Sequence, residues 1–270
     1  METHVILPAV SPLAAAIEEN LEAHIAFIAR SAPGMRVFDH DDLLMVDSGL
    51  SSDTFNKVAR SRLSSERAGR RISEVIEYFR AVDRPFAWWI GPSARPFDLE
   101  THLRDHGLIA AECEVGMAMD VSELQPALDP PRNLAIERVC TARQIAAFAE
   151  VVAANWQPPD QTVIRFYSRA VPVLLANACP MQLFVGYLDD EPVATAELFT
   201  SGSLGGLYSV STRPEFRRRG IGSAVTWHAA EWARCAGART LALQSSEAGQ
   251  SVYARLGFKA CCNFAEYTPW

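Results

Sequence analysis

The chain has 270 residues, 49% hydrophobic and 21% charged, which suits one large domain or two modest ones and excludes wholesale disorder. Its 25 Lys and Arg against 32 Asp and Glu leave a net charge of -7, and no basic stripe is present to follow a nucleic-acid backbone. Cysteines at 113, 140, 179, 235, 261 and 262 form no Cys-x-x-Cys pair and no zinc-type spacing with His, so they read as reduced, buried thiols with no metal.

Met1 to His4 lack the charge of a signal peptide, and no run approaches the ~18 apolar residues of a membrane span. A cytoplasmic protein with no membrane or nucleic-acid partner is the expectation. The run Asp39-His40-Asp41-Asp42 reads as a solvated turn, because adjacent side chains seldom converge on one ion. Ser65 to Val82 places Ile72, Val75, Ile76, Phe79 and Val82 on one helical face. Phe86 to Ile90 reads as a strand whose Trp88 and Trp89 face opposite sides. Asp98 to His106 predicts a helix, capped by the Asp98 carboxylate and stopped at Gly107, and Val115 to Val121 a further strand.

Pro126, Pro130 and Pro131 then mark a linker over 126–133, dividing the chain into 1–125 and 134–270. Leu134 to Val139 predicts a strand, and Thr141 to Gln144 a capping box ahead of a helix facing inward with Ile145, Phe148, Val152 and Trp156. Gln161 to Ala176 predicts a second helix, kinked or split at Pro172. Met181 to Tyr187 and Pro192 to Thr200 form a hairpin around Asp189-Asp190, and Gly202, Gly205 and Gly206 loosen the chain before a strand over Leu207 to Ser211.

That strand leads through Arg217-Arg218-Arg219-Gly220-Ile221-Gly222-Ser223 into a helix carrying Ile221, Val225, His228 and Trp232 and ending near Gly237. A glycine loop ahead of a helix N-terminus can aim several N–H groups at one anion, and Gly220 and Gly222 remove the Cβ atoms that would hold a diphosphate away. A turn with a solvated basic run accounts for the same residues. A dinucleotide fingerprint fits worse, since position 225 is Val. His102 and His106 suggest ordinary helix-surface residues, and His228 a core residue.

Arg217-x-x-Gly220-x-Gly222 between a strand and a helix resembles the acetyl-coenzyme A signature of the GNAT N-acetyltransferases. Val252-Tyr253-Ala-Arg-Leu-Gly257-Phe258 resembles the element that closes that fold. The resemblance implies an α/β (α+β) fold of two GNAT-like domains, each with a mixed, mostly antiparallel sheet flanked by helices. The second would be catalytic; the first, which lacks both motifs, would be degenerate or accessory.

The resemblance further implies acetyl-CoA as acyl donor, with no metal, and a small amine or amino-acid-like acceptor. The cofactor diphosphate maps to Arg217, Arg218, Arg219, Gly220, Ile221, Gly222 and Ser223. The pantetheine arm maps to Tyr208, Ser209, Val210 and Ser211, with Ser246 replacing an Asn often found there. An N–H of Val210 or Ser211 would meet the oxyanion. Tyr253 matches the tyrosine that protonates the departing thiolate, although an amphipathic core tyrosine is its plainer reading. Leu207 to Ser211 carries no carboxylate where many members have a Glu, which leaves Glu197 and Glu247 as substitutes, each also readable as a structural carboxylate. That gap keeps open a module that binds acyl-CoA without turnover, or a scaffold. The acceptor and the oligomeric state are open, a homodimer being one form.

Overall fold

A computed structural model describes residues 10–126 and 130–269. Met1 to His4 and linker positions 127–129 lie outside the described residues.

The N-terminal half runs α1 (Pro12–Phe27), β1 (Arg36–Asp39), β2 (Leu44–Asp47), β3 (Lys57–Ala59), α2 (Ser65–Ala81), β4 (Ala87–Ile90), α3 (Leu99–Asp105) and β5 (Ile109–Asp120). The C-terminal half runs β6 (Leu134–Arg138), α4 (Ala142–Ala153), α5 (Gln161–Leu174), β7 (Met181–Leu188), β8 (Glu191–Ser201), β9 (Leu204–Thr212), α6 (Ile221–Cys235), β10 (Thr240–Ser245), α7 (Glu247–Leu256) and β11 (Lys259–Thr268). Among the described residues eleven strands form one sheet in the order β1-β2-β3-β4-β11-β5-β10-β9-β8-β7-β6. Pairing is antiparallel except at β3–β4 and β9–β10, where α2 and α6 make the crossovers.

The order contains an internal repeat. The path β1-β2-β3-α2-β4-α3-β5 matches β7-β8-β9-α6-β10-α7-β11, element for element. The last strands are exchanged: β5 pairs with β10 of the other half, β11 pairs with β4, and the two exchanged strands pair with each other from Lys259↔Ala118 to Thr268↔Ile109. Hydrogen bonding therefore crosses the 126–133 boundary along the whole centre of the sheet.

Side-chain alternation assigns the faces. Met117, Met119, Leu207 and Leu243 pack with Ile221 and Val225 of α6, and Trp88 and Tyr267 pack with Ile72, Phe79 and Leu103 of α2 and α3. On the opposite face Phe264, Ala118 and Ala242 meet Ile17 and Leu21 of α1, beside a cluster of Phe148, Val163 and Tyr167 from α4 and α5. Trp88 is fully buried and donates from Nε1 to Ser61 Oγ at 2.9 Å, whereas Trp89 turns toward Phe264 and lies under the Lys57 ammonium.

Several local expectations change. Asp98 makes no capping bond to α3; its carboxylate lies 3.7 Å from His102 Nε2 instead. The Thr141 hydroxyl caps α4 as read, but Gln144 reaches back to the Cys140 N–H. That helix ends at Ala153, so Trp156 falls beyond it and stays exposed. Pro172 sits in the last turn of α5 and does not split it. Asp189 and Asp190 both have positive φ, the geometry of a type I′ hairpin turn. Gly205 and Gly206 are strand residues, not a loop: β9 starts at Leu204, and a Cβ on Gly206 would strike Asn20 and the Tyr208 ring. Four cysteines, 113, 140, 235 and 261, are exposed. Asp39 pairs with Arg30 and Arg60, and Asp42 with Arg71, so the acidic run closes the β1–β2 turn with ion pairs.

Candidate active site

The parallel pair β9–β10 stays in register from Leu204↔Thr240 to Leu207↔Leu243 and then separates. Two irregularities in β9 open the sheet there. The register with β8 slips between Thr195 and Glu197, and Ser209 takes φ 47, a left-handed conformation that a non-glycine residue holds only at a cost of about 1–2 kcal/mol. The Thr195 hydroxyl fixes the bulge by donating to the Ser209 carbonyl at 2.8 Å.

On the α6 side of this opening lies a groove of about 800 Å³. Val210, Ser211 and Thr212 form one wall, Arg217, Arg218, Gly220, Ile221, Gly222 and Ser223 its head, and Ser246, Gly249 and Tyr253 of the α7 segment the other wall. Arg218 at φ 60 and Gly220 at φ 76 bend the chain so that it enters α6 with no side-chain cap. The unpaired amides of that helix start and the turn before it form a concavity suited to an anion. Gly222 lets the backbone pass Thr212, since a Cβ would approach Oγ1 to 3.2 Å. Arg217 donates to the Thr212 carbonyl at 3.0 Å and to Asn155 Oδ1 at 2.9 Å, and Asn155 in turn donates to Ser211 Oγ. Arg219 is not brought into the groove; its guanidinium lies over Phe216.

Tyr253 is packed on α7 against Phe258, and Gly249 leaves the space its ring occupies. Burial first, and then the nearby Glu114 carboxylate, push the phenol up to about 12, so it stays protonated at neutral pH. Glu114 is itself pushed up to about 7, first by burial and then by Glu112 and Glu266. It stands on β5, the strand received from the N-terminal half. Ser246 starts α7, and its hydroxyl makes no capping bond.

On the opposite face is a smaller cavity of about 130 Å³, and Ser209 lines it while Val210 to Thr212 line the groove. Glu197 is buried at its inner end, 2% exposed. Its Oε1 accepts from His24 Nε2, and its Oε2 accepts from Tyr167 at 3.1 Å and from Ser209 Oγ at 3.3 Å. Tyr208 also belongs to this face: its ring stacks on His24 at 3.7 Å and its hydroxyl donates to Asn20 Oδ1 at 2.7 Å. Burial, with Glu197 second, holds the hydroxyls of Tyr167 and Tyr208 well above the usual tyrosine range. Glu247 begins α7 and joins neither cavity.

Sequence reasoning missed His24 and Asn20. They lie on α1, where Glu18, Asn20 and Glu22 are buried beside Ile17 and Leu21, so no clean apolar stripe marks the helix. His228, read as core, is half-buried and edge-on to Phe184. Among the described residues no group of three or more His, Cys, Asp or Glu is placed to hold a metal, and no helix is long and apolar enough to cross a membrane.

A search of curated proteins finds no match. Among solved structures, a GCN5-related N-acetyltransferase from Kribbella flavida superposes with a TM-score of 0.71 at 18% identity, over 95% of each chain. A tandem GNAT protein from the clavulanic acid biosynthesis pathway gives 0.58 at 12%, over 97% of each chain. A GCN5-related N-acetyltransferase from Sphaerobacter thermophilus gives 0.59 at 16%, over 86% of this chain and 81% of its own. At such identities the likeness speaks for the fold, and it runs along nearly the whole length. The model of the acetyltransferase (GNAT) family matches residues 136–258, from β6 to the start of β11. Residues 136–258 thus match the acetyltransferase (GNAT) family, and the chain shares the mixed, mostly antiparallel fold of GNAT proteins.

Proposed function

We propose that the chain is an acetyl-CoA-dependent N-acyltransferase that moves an acetyl group to the amine of a small-molecule or amino-acid-like acceptor. Residues 134–270 form its catalytic unit, and the N-terminal half is a degenerate GNAT-like copy. The observation that carries this reading is the groove at the start of α6, open at the β9–β10 separation and walled by a protonated Tyr253.

The GNAT family uses acetyl-CoA as its donor, and the residues present fit that group. Arg217, Arg218 and the amides of Gly220 to Ser223 would receive the diphosphate, and Val210 to Thr212 the pantetheine arm, with Ser246 offering a hydroxyl from the facing wall. The bound thioester supplies an activated acyl carbon. The N–H of Val210 or Ser211 would hold the oxyanion formed on attack. Tyr253 would give its proton to the thiolate sulfur, and Glu197 belongs to the proton-accepting side. Tyr208 and Ser209 act on the acceptor side of the strand. Much of the rate would come from holding the two reactants in line across the opening.

The test is thiol release from acetyl-CoA over a panel of primary amines, with cofactor affinity measured by calorimetry. Amine-dependent release is the expected result. Binding of acetyl-CoA with no turnover on any amine would replace this reading by a cofactor-binding module, and no binding at all would remove both.

A further inference from the structure

The last turn of α1 brings a side chain of the N-terminal half onto the buried Glu197. There His24 stacks face to face on Tyr208, with ring planes 8° apart, stands edge-on to Phe199, and bonds through Nε2 to the buried Glu197 carboxylate. A carboxylate can only accept, so this bond fixes the tautomer with Nε2 protonated and Nδ1 carrying a lone pair. Nδ1 is shielded from solvent and has no partner among the described residues. It is the unsatisfied polar atom of a cluster in which both Glu197 oxygens are bonded. An orphaned buried nitrogen is costly unless a ligand completes it.

The cavity that His24 lines has apolar walls from Ile25, Ile28, Phe55 and Phe166, the last two rings stacked at 3.8 Å. At the Ser209 bulge the two cavities back onto neighbouring residues of one strand, Ser209 lining this one and Val210 the cofactor groove. We infer that this cavity takes the acceptor, a primary amine on an apolar or aromatic body, and that His24, held by Glu197, removes its proton. The inference rests on the acyltransferase reading above and names the acceptor class and the base that reading left unassigned.

The step balances as follows. The ammonium gives one proton to His24 Nδ1, and Glu197 neutralises the imidazolium through Nε2–H. The free amine lone pair forms the C–N bond to the thioester carbonyl carbon. Collapse breaks the C–S bond, Tyr253 passes its proton to the thiolate sulfur, and the second nitrogen proton restores the phenol. His24 later returns its proton to solvent. The products are amide, free thiol and one proton. His24 touches the acceptor and is catalytic, whereas Glu197 acts through His24 as a positioning residue.

The experiment compares wild type, H24Q and E197Q in thiol release with 2-phenylethylamine, putrescine and glycine as acceptors, and reads the imidazole tautomer by 15N NMR on histidine-labelled protein. Expected are preference for 2-phenylethylamine, a loss of about 100-fold in kcat for H24Q with acetyl-CoA affinity within about twofold, and partial recovery of H24G by added imidazole. The H24Q/E197Q double variant should be no slower than the slower single variant, because the two act as a unit. The tautomer expected for His24 is Nε2–H, lost in E197Q. H24Q retaining its rate within threefold overturns the assignment, as does an Nδ1–H tautomer or preference for glycine. The NMR reading needs no turnover, so a correct tautomer with no amine acetylated by wild type convicts the acyltransferase reading instead.

Discussion

The two halves follow the same chain path, yet they treat the strand-to-helix crossing in opposite ways. In the C-terminal half, Arg213 to Gly220 carries the chain from β9 to α6 with left-handed residues at 218 and 220, and a groove lies over the helix start. In the N-terminal half, Arg60 to Ser64 joins β3 to α2 without a glycine, its one left-handed residue being Arg60 at φ 52. There Arg60 and Arg62 lie 3.6 and 3.8 Å from Glu22, and Arg60 also pairs with Asp39, so the half's own carboxylates neutralise its cations. Arg217 and Arg218 form no ion pair among the described residues. A crossover between parallel strands is therefore only a frame. Left-handed residues occur in both crossings, so what sets the C-terminal one apart is a glycine at the helix start and cations without carboxylate partners, left free to meet a ligand.

The largest break in this comparison is to separate the halves. A chain of residues 134–270 alone would lose β5 from between β10 and β11, and β4 from the far side of β11. We expect it to show no cooperative thermal transition, or to recover one only by pairing with a second copy. A monomer melting like the full chain would refute the dependence. Next is Gly220→Asp, which puts a side chain at φ 76 and a negative charge where a diphosphate would lie. Acetyl-CoA affinity by calorimetry should fall by roughly 100-fold or more, about 2.7 kcal/mol, with little change in melting temperature.

Tyr253→Phe should lower kcat by about 10- to 100-fold and leave cofactor affinity within about twofold. An unchanged kcat removes the tyrosine from proton transfer. The smallest effect concerns Glu114, donated by the N-terminal half. Its pKa is raised from an ordinary 4.5 to about 7, so the native state binds its proton more tightly than the unfolded chain does. Stability then falls as pH rises from about 4.5 through 7, the sign opposite to that of a salt-bridged carboxylate. Glu114→Gln should raise the melting temperature by a few degrees at pH 8 and by nothing measurable at pH 5. A gain that is larger at pH 5 would contradict the burial argument.

Much of both halves was legible. The helix at Ser65 to Val82, the Asp189-Asp190 hairpin and the strand–glycine loop–helix passage all announce themselves through short-range rules of periodicity and turn chemistry. Less legible were the features that trade local preference for long-range contact. Gly205 and Gly206 resemble a loop by composition but lie in β9, because Asn20 and the Tyr208 ring need the space. The buried polar residues of α1 hide a helix whose partners lie across the sheet.

The local order of residues thus determined many of the elements from Ser65 onward, the anion-ready start of α6 and the place of Tyr253 after it, since each depends on neighbours within a few turns of chain. Tertiary structure alone decided that β5 and β11 change places, that Glu114 comes to stand near Tyr253, and that His24 closes on Glu197 from 173 residues away. No spacing in the sequence encodes such meetings. They follow from the pairing of the two final strands across the sheet, which brings groups from both halves to the one place where β9 and β10 part.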